Sequence, residues 1–149
     1  MLNRAQWDGA IKEIQEKVVE DPNGFYILAE LMDFCRKTFD EYEKMGIDRT
    51  VFAATMKFCT RFIHEHKAAY GNYAFQWAWW FPRQLSMQEY RVEELEFEFI
   101  EEEQRIYIHI PSDADMRPSR VQDTFKAFHA FLKKYYPKWL KAEWYCDSW

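Results

Sequence analysis

The chain is 149 residues long, enough for one domain that buries roughly 68–70% of its unfolded surface and needs no disulfide or metal staple. With 48% apolar and 19% aromatic residues but only 4 glycines and 5 prolines, it is neither a disordered chain nor a turn-rich all-β sandwich. A formal net charge of −5 makes attraction to phosphate backbones weak on average, which argues against nucleic acid as a partner.

Cys35, Cys59 and Cys146 are an odd set without a Cys-x-x-Cys pair, each in apolar surroundings, and read as reduced thiols. Residues 1–7 lead straight into an amphipathic pattern instead of a signal peptide's charged-then-apolar layout, and no apolar run approaches about 18 residues. Residence in the cytoplasm, away from membranes, is the resulting expectation.

In chain order, residues 4–20 carry Trp7, Ala10, Ile11, Ile14 and Val18 at helical spacing, and Asp21-Pro22-Asn23-Gly24 supplies a stop. A second helix is expected over 25–44, with Phe25, Leu28, Met32, Cys35, Phe39 and Tyr42 on its buried stripe and Gly46 as a left-handed cap. Asp48 can cap a third helix over 49–70, which ends at Gly71-Asn72. Residues 73–82, rich in Phe75, Trp77, Trp79 and Trp80, have no clear period and read as a packed, partly helical connector that could also line a groove for a ligand or partner. The period then changes to two. Segments 85–92, 95–101 and 105–110 read as short strands, with Leu95, Phe97 and Phe99 alternating with Glu96 and Glu98, and Ile106, Ile108 and Ile110 alternating with Tyr107 and His109. Links this short make the three an antiparallel meander. A helix over 118–135, with Pro118 in its first turn, and a last strand at Trp144-Tyr145-Cys146 complete the pattern. The whole is one α+β domain over 1–149, with a helical layer over about 1–82 and a β-β-β-α-β part over about 83–149.

A helix between the third and fourth strands forms a crossover, and right-handed connection makes those strands parallel. Gly46-Ile47, Thr55, the run 90–98 (Tyr-Arg-Val-Glu-Glu-Leu-Glu-Phe-Glu), His109-Ile110-Pro111, Tyr135-Tyr136-Pro137 and Cys146-Asp147-Ser148-Trp149 together resemble the GNAT-like C-terminal domain of bacterial N-acyltransferases. The resemblance covers about residue 46 to the end. Two departures stand out: Glu93 replaces the family's usual glycine after the first strand, and the family's further apolar stretch after Ser-Trp is absent. The expectation is a GNAT-like meander, crossover helix and final parallel strand, cut short, with a separate N-terminal partner domain and self-association through the exposed last strand.

The resemblance further implies acetyl-CoA or another acyl-CoA as co-substrate and a small-molecule amine as acceptor. The pyrophosphate would lie at the N-terminus of the crossover helix, near Ser112, Asp113, Arg117, Ser119 and Arg120. Asp113 and Asp115 would repel phosphate there, and Arg117 and Arg120 partly offset them. His109 on the polar strand face, with Glu96 and Glu98 beside it, is the candidate general base, and Cys146 a candidate acid or nucleophile. A GNAT-shaped binding or interaction module without turnover is the alternative. His64-Glu65-His66 lacks the spacing that puts two imidazoles on one helix face, so no metal is expected there.

Overall fold

The computed structural model describes residues 21–74 and 80–146, together with Lys12 and Glu16, which are helical. The remainder of the expected first helix and the aromatic residues Phe75, Trp77 and Trp79 lie outside the described residues. The elements are α1 (Phe25–Met45), α2 (Arg49–Tyr70), α3 (Trp80–Leu85), β1 (Glu89–Val92), β2 (Leu95–Ile100), β3 (Arg105–His109), α4 (Pro118–Tyr135), a 3-10 turn (Pro137–Trp139) and β4 (Glu143–Cys146). The sheet runs β1-β2-β3-β4, antiparallel twice and then parallel between β3 and β4. This is the α+β meander with crossover helix that the sequence pattern implies.

Side-chain chemistry at each boundary accounts for the helical part. The Asp21 carboxylate accepts from the amides of Tyr26 (2.6 Å) and Ile27 (3.4 Å), satisfying the open first turn of α1. Gly24 must be a glycine, since its φ is 73° and a Cβ there would lie 1.8 Å from the backbone carbon of Tyr73. Gly46 (φ 67°) closes α1, Asp48 caps α2 through the Thr50 amide (2.8 Å), and Gly71 (φ 75°) closes α2.

Two expectations need correction. α1 buries Ile27, Leu31, Thr38 and Tyr42, whereas Phe25 and Met32 of the expected stripe are 63% and 65% exposed. On that buried stripe the Thr38 hydroxyl donates to the Leu85 carbonyl (2.6 Å), a contact 47 residues away that hydrophobicity alone does not reveal. The first strand also starts later than residue 85. Residues 80–85 are helical, and the chain leaves the helix through left-handed Met87 (φ 62°) with Gln88 N bonded to Arg83 O, so Leu85 and Met87 are buried from a helix end instead of by strand alternation.

One face of the sheet packs on α4, with Phe97 stacked on Phe128 at 3.6 Å between ring centroids, and Tyr90, Phe99, Ile106, Leu132 and Trp139 around them. The β1-β2 turn places Glu93 at φ 54°, a conformation glycine adopts without strain and glutamate does not. Hydrogen bonds from the Glu94 amide to Thr124 Oγ1 and from Arg120 to the carboxylates of Glu93 and Glu94 hold the turn against α4. Phe97→Ala should cost about 3–5 kcal/mol in urea unfolding, and Ile108→Ala about 2–5 kcal/mol. Values within about 0.5 kcal/mol would mean that this face is not the packed one.

Candidate active site

Alternation along the strands gives the opposite face Glu89 and Arg91 from β1, Glu96 and Glu98 from β2, and Tyr107 and His109 from β3. Register sets Glu89 opposite Glu98, Arg91 opposite Glu96, and Glu96 opposite His109. This face is far from solvated: Glu89, Arg91 and Glu98 are 2%, 7% and 1% exposed. Cys59 of α2 and Arg83 and Gln84 of α3 supply its partners.

Two nitrogens meet one oxygen of Glu98: Arg83 Nη1 lies 2.6 Å and His109 Nε2 2.9 Å from Oε2, while Gln88 Nε2 donates to Oε1 at 3.3 Å. Gln84 Nε2 donates to Glu89 Oε1 (3.1 Å) and, at 3.4 Å, to Glu96 Oε1, and its carbonyl oxygen accepts from Cys59 Sγ (3.0 Å). Beyond this cluster opens a pocket of about 250 Å³, lined by Glu89, Glu96 and His109 together with Phe58, Ile110, Pro111 and Ser112. Burial pushes the Glu89 carboxyl up to about 8, aided by the charge of Glu96. Burial also raises Glu96. His109 is held above the ordinary imidazole value of 6.5, chiefly by its hydrogen bond to Glu98, against the opposing effect of burial. Burial raises the Cys59 thiol, which leaves it a poor nucleophile.

The residues expected from sequence thus divide. His109, Glu96 and Glu98 come together, and Ser112 joins the same pocket. Cys146 is exposed on β4 in register with Ile108, and the pocket's described lining does not include it. Asp113 is tied to Arg91 (2.7 Å) and Lys57 (3.1 Å), and the Arg91 hydrogen bond holds its carboxyl below the usual range. Arg117 is engaged by Asp115, whose carboxyl it depresses to about 2, and Arg120 by Glu94 (2.6 Å). Ser119 is exposed in the first turn of α4. Glu89, Arg83 and Gln84 were missed, although a hairpin closed at Glu93-Glu94 already sets Glu89 opposite Glu98. Among the described residues, Glu89, Glu98 and His109 also bring one donor atom each within 4.8 Å, the spacing a cation would need, but Arg83 already meets the Glu98 oxygen that faces His109. A second, apolar cleft of about 390 Å³ lies between α1 and α2, with Leu28, Leu31, Met56 and Cys59 in its walls.

Two family models match the chain: the N-acyltransferase N-terminal domain over residues 2–87 and the GNAT-like C-terminal domain over residues 71–149. The chain belongs to this two-part N-acyltransferase family. The N-terminal match falls on the chain's own helices, so in family terms Arg83 and Gln84 come from the overlap of the two parts and Glu98 and His109 from the second. Among solved structures, an acyltransferase in complex with decanoyl-CoA and teicoplanin is similar at a TM-score of 0.65 and 16% identity, covering 77% of this chain and 37% of that one. An acyltransferase in complex with decanoyl-CoA (TM-score 0.64, 14% identity) and one with CoA and 10C-teicoplanin (0.65, 15%) give the same coverage. At these identities the likeness is one of fold, and the chain spans little more than a third of those structures' length. No curated protein matches it. No helix among the described residues is long and apolar enough to cross a membrane.

The raised Glu89 value has a thermodynamic counterpart. A carboxyl that binds its proton more tightly folded than unfolded contributes stability that is fully present below about 4.5 and is lost as the pH rises through about 8. His109, also raised, acts in the same direction. Glu89→Gln removes the first contribution while Glu96, Glu98, His109, Arg83 and Cys59 still face the position. Between pH 5 and pH 9 the variant should therefore gain on the parent by about 2–4 kcal/mol in chemical denaturation, and parallel pH profiles would contradict a proton held on Glu89.

Proposed function

We propose that this chain carries the acceptor-activating site of an acyl-CoA-dependent N-acyltransferase, with His109 as general base. The observation that carries the reading is the line Arg83–Glu98–His109 ending on a pocket at the close of β3. Family membership and the acyl-CoA complexes of the structural neighbours support the donor class.

Glu98 accepts from Nε2–H and so fixes the tautomer in which Nδ1 is the proton acceptor. In the transfer, the amine nitrogen attacks the thioester carbonyl, its N–H proton passes to Nδ1, the C–N bond forms and the C–S bond breaks. The thiolate of CoA then takes a proton from water, and His109 returns its own to solvent. Glu96, on the same wall of the pocket, is the second candidate to receive the proton; Cys146 is assigned no step. In this reading the CoA pyrophosphate would lie at the N-terminus of α4 near Ser112 and Ser119, with Arg117 or Arg120 exchanging its carboxylate partner for phosphate, while Asp113 is drawn back onto Arg91 and Lys57.

The engagement of Arg117 and Arg120 by carboxylates also favours the second reading, a GNAT-shaped binding module without turnover. Titration with acetyl-CoA and longer acyl-CoAs separates the two. Saturable binding that Arg117→Ala weakens is expected for the enzyme, and no binding for the module. With an amine that turns over, His109→Gln should lower kcat by roughly 10²–10⁴. The parent's rate should rise with pH through a value above 6.5, as the imidazole loses its proton. A pH-independent rate, or full activity in the variant, would remove His109 from the mechanism.

A further inference from the structure

The acceptor's chemical class can be read from the same pocket, on the premise that it is the acyltransferase site. Glu89 lies 2% exposed at its wall, and Gln84 is the one described residue hydrogen-bonded to its carboxylate, on Oε1, which leaves Oε2 for whatever enters. Among the described residues, Glu96 likewise accepts only the long contact from Gln84. No lysine or arginine is part of the described lining: Arg83 is turned onto Glu98, and Arg91 onto Asp113. Of the remaining described lining, Phe58, Ile110 and Pro111 are apolar and Ser112 adds one hydroxyl.

We infer that this pocket takes a small primary amine as its ammonium ion, carrying an apolar arm and no carboxylate. The ammonium's three N–H donors match the open oxygens of Glu89 and Glu96; one of these protons passes to a wall carboxylate to free the nitrogen's lone pair, and a second passes to His109 as the C–N bond forms. A buried carboxylate left without a cation is costly, so an arriving ammonium replaces the proton that otherwise neutralises the wall. A ligand carboxylate would face two glutamates, with His109, already held by Glu98, as its one basic neighbour in the described lining. The arm packs on Phe58, whose ring also attracts a nearby cation. A cavity of roughly 150 Å³ holds one benzene ring, so the 250 Å³ here fits a ring with a short aminoalkyl chain.

The test needs no acyl donor. Benzylamine, benzyl alcohol, phenylacetate and phenylalanine are each titrated against the chain, with the His109 ring resonances as the readout. Benzylamine should move them saturably, while the alcohol, the acid and the amino acid bind at least about tenfold more weakly. Glu96→Gln, checked for folding by its amide spectrum, should weaken benzylamine on the order of 10–100-fold, and Glu89→Gln serves as a second variant. Phenylacetate binding as tightly as benzylamine, or benzylamine binding that survives both substitutions, overturns the inference. Benzylamine that binds as expected yet accepts no acyl group from any acyl-CoA supports the amine site and counts against the acyltransferase reading. Transfer to a neutral or acidic acceptor without benzylamine binding does the reverse.

Discussion

A carboxylate withdrawn from water costs several kcal/mol unless cations, hydrogen bonds or a proton compensate, and this fold withdraws three on one side of a four-stranded sheet. Glu89, Glu96 and Glu98 occupy adjacent register positions on two neighbouring strands, so they cannot be relieved separately. Arg83 and His109 hydrogen-bond Glu98, burial raises the carboxyl of Glu89 so that it holds a proton more tightly, and the single amide of Gln84 is divided between Glu89 and Glu96. The short helix α3 follows from this requirement. Six residues of helix present Arg83 and Gln84 side by side over the strands, which an extended run from residue 85 would not do.

The same requirement binds the two family parts into one unit. Arg83 and Gln84 stand where the matches overlap, the carboxylates and imidazole belong to the C-terminal part, and Cys59 reaches in from α2. Thr38 of α1 fixes α3 from the other side through the Leu85 carbonyl. Residues of the helical part thereby partner and bury carboxylates that the strands carry.

Much of this was legible in the sequence because it is local. Gly46, Asp48, Gly71 and Pro118 mark helix ends through their own backbone or side-chain preferences, and the alternation from Leu95 to Ile108 shows both the strands and their polar face. His109, Glu96 and Glu98 could be grouped from that alternation alone. What escaped depends on contacts distant in sequence. The Thr38–Leu85 bond lies on the stripe of α1 that is buried, and left-handed Met87 ends a helix where the apolar pattern suggested a strand. The hairpin at Glu93-Glu94 does set Glu89 opposite Glu98, but nothing local shows that Glu89 is buried there or that Gln84 reaches it from a helix. The depth of the polar face was equally hidden, because burial of Glu98 to 1% is a property of the helices laid over it.

Thr55 shows how a single hydroxyl can govern behaviour beyond the molecule. It donates to the Val51 carbonyl within α2 (2.8 Å) and accepts from the Arg91 amide (2.9 Å), on β1, the strand that ends the sheet order on this side. Outermost strands normally offer their free amides to any extended segment that passes, the first step of strand-by-strand aggregation. Here the amide midway along β1 is already spoken for, and the helix that supplies the oxygen lies against the same strand. Another molecule seeking to extend the sheet at this end must first peel α2 away.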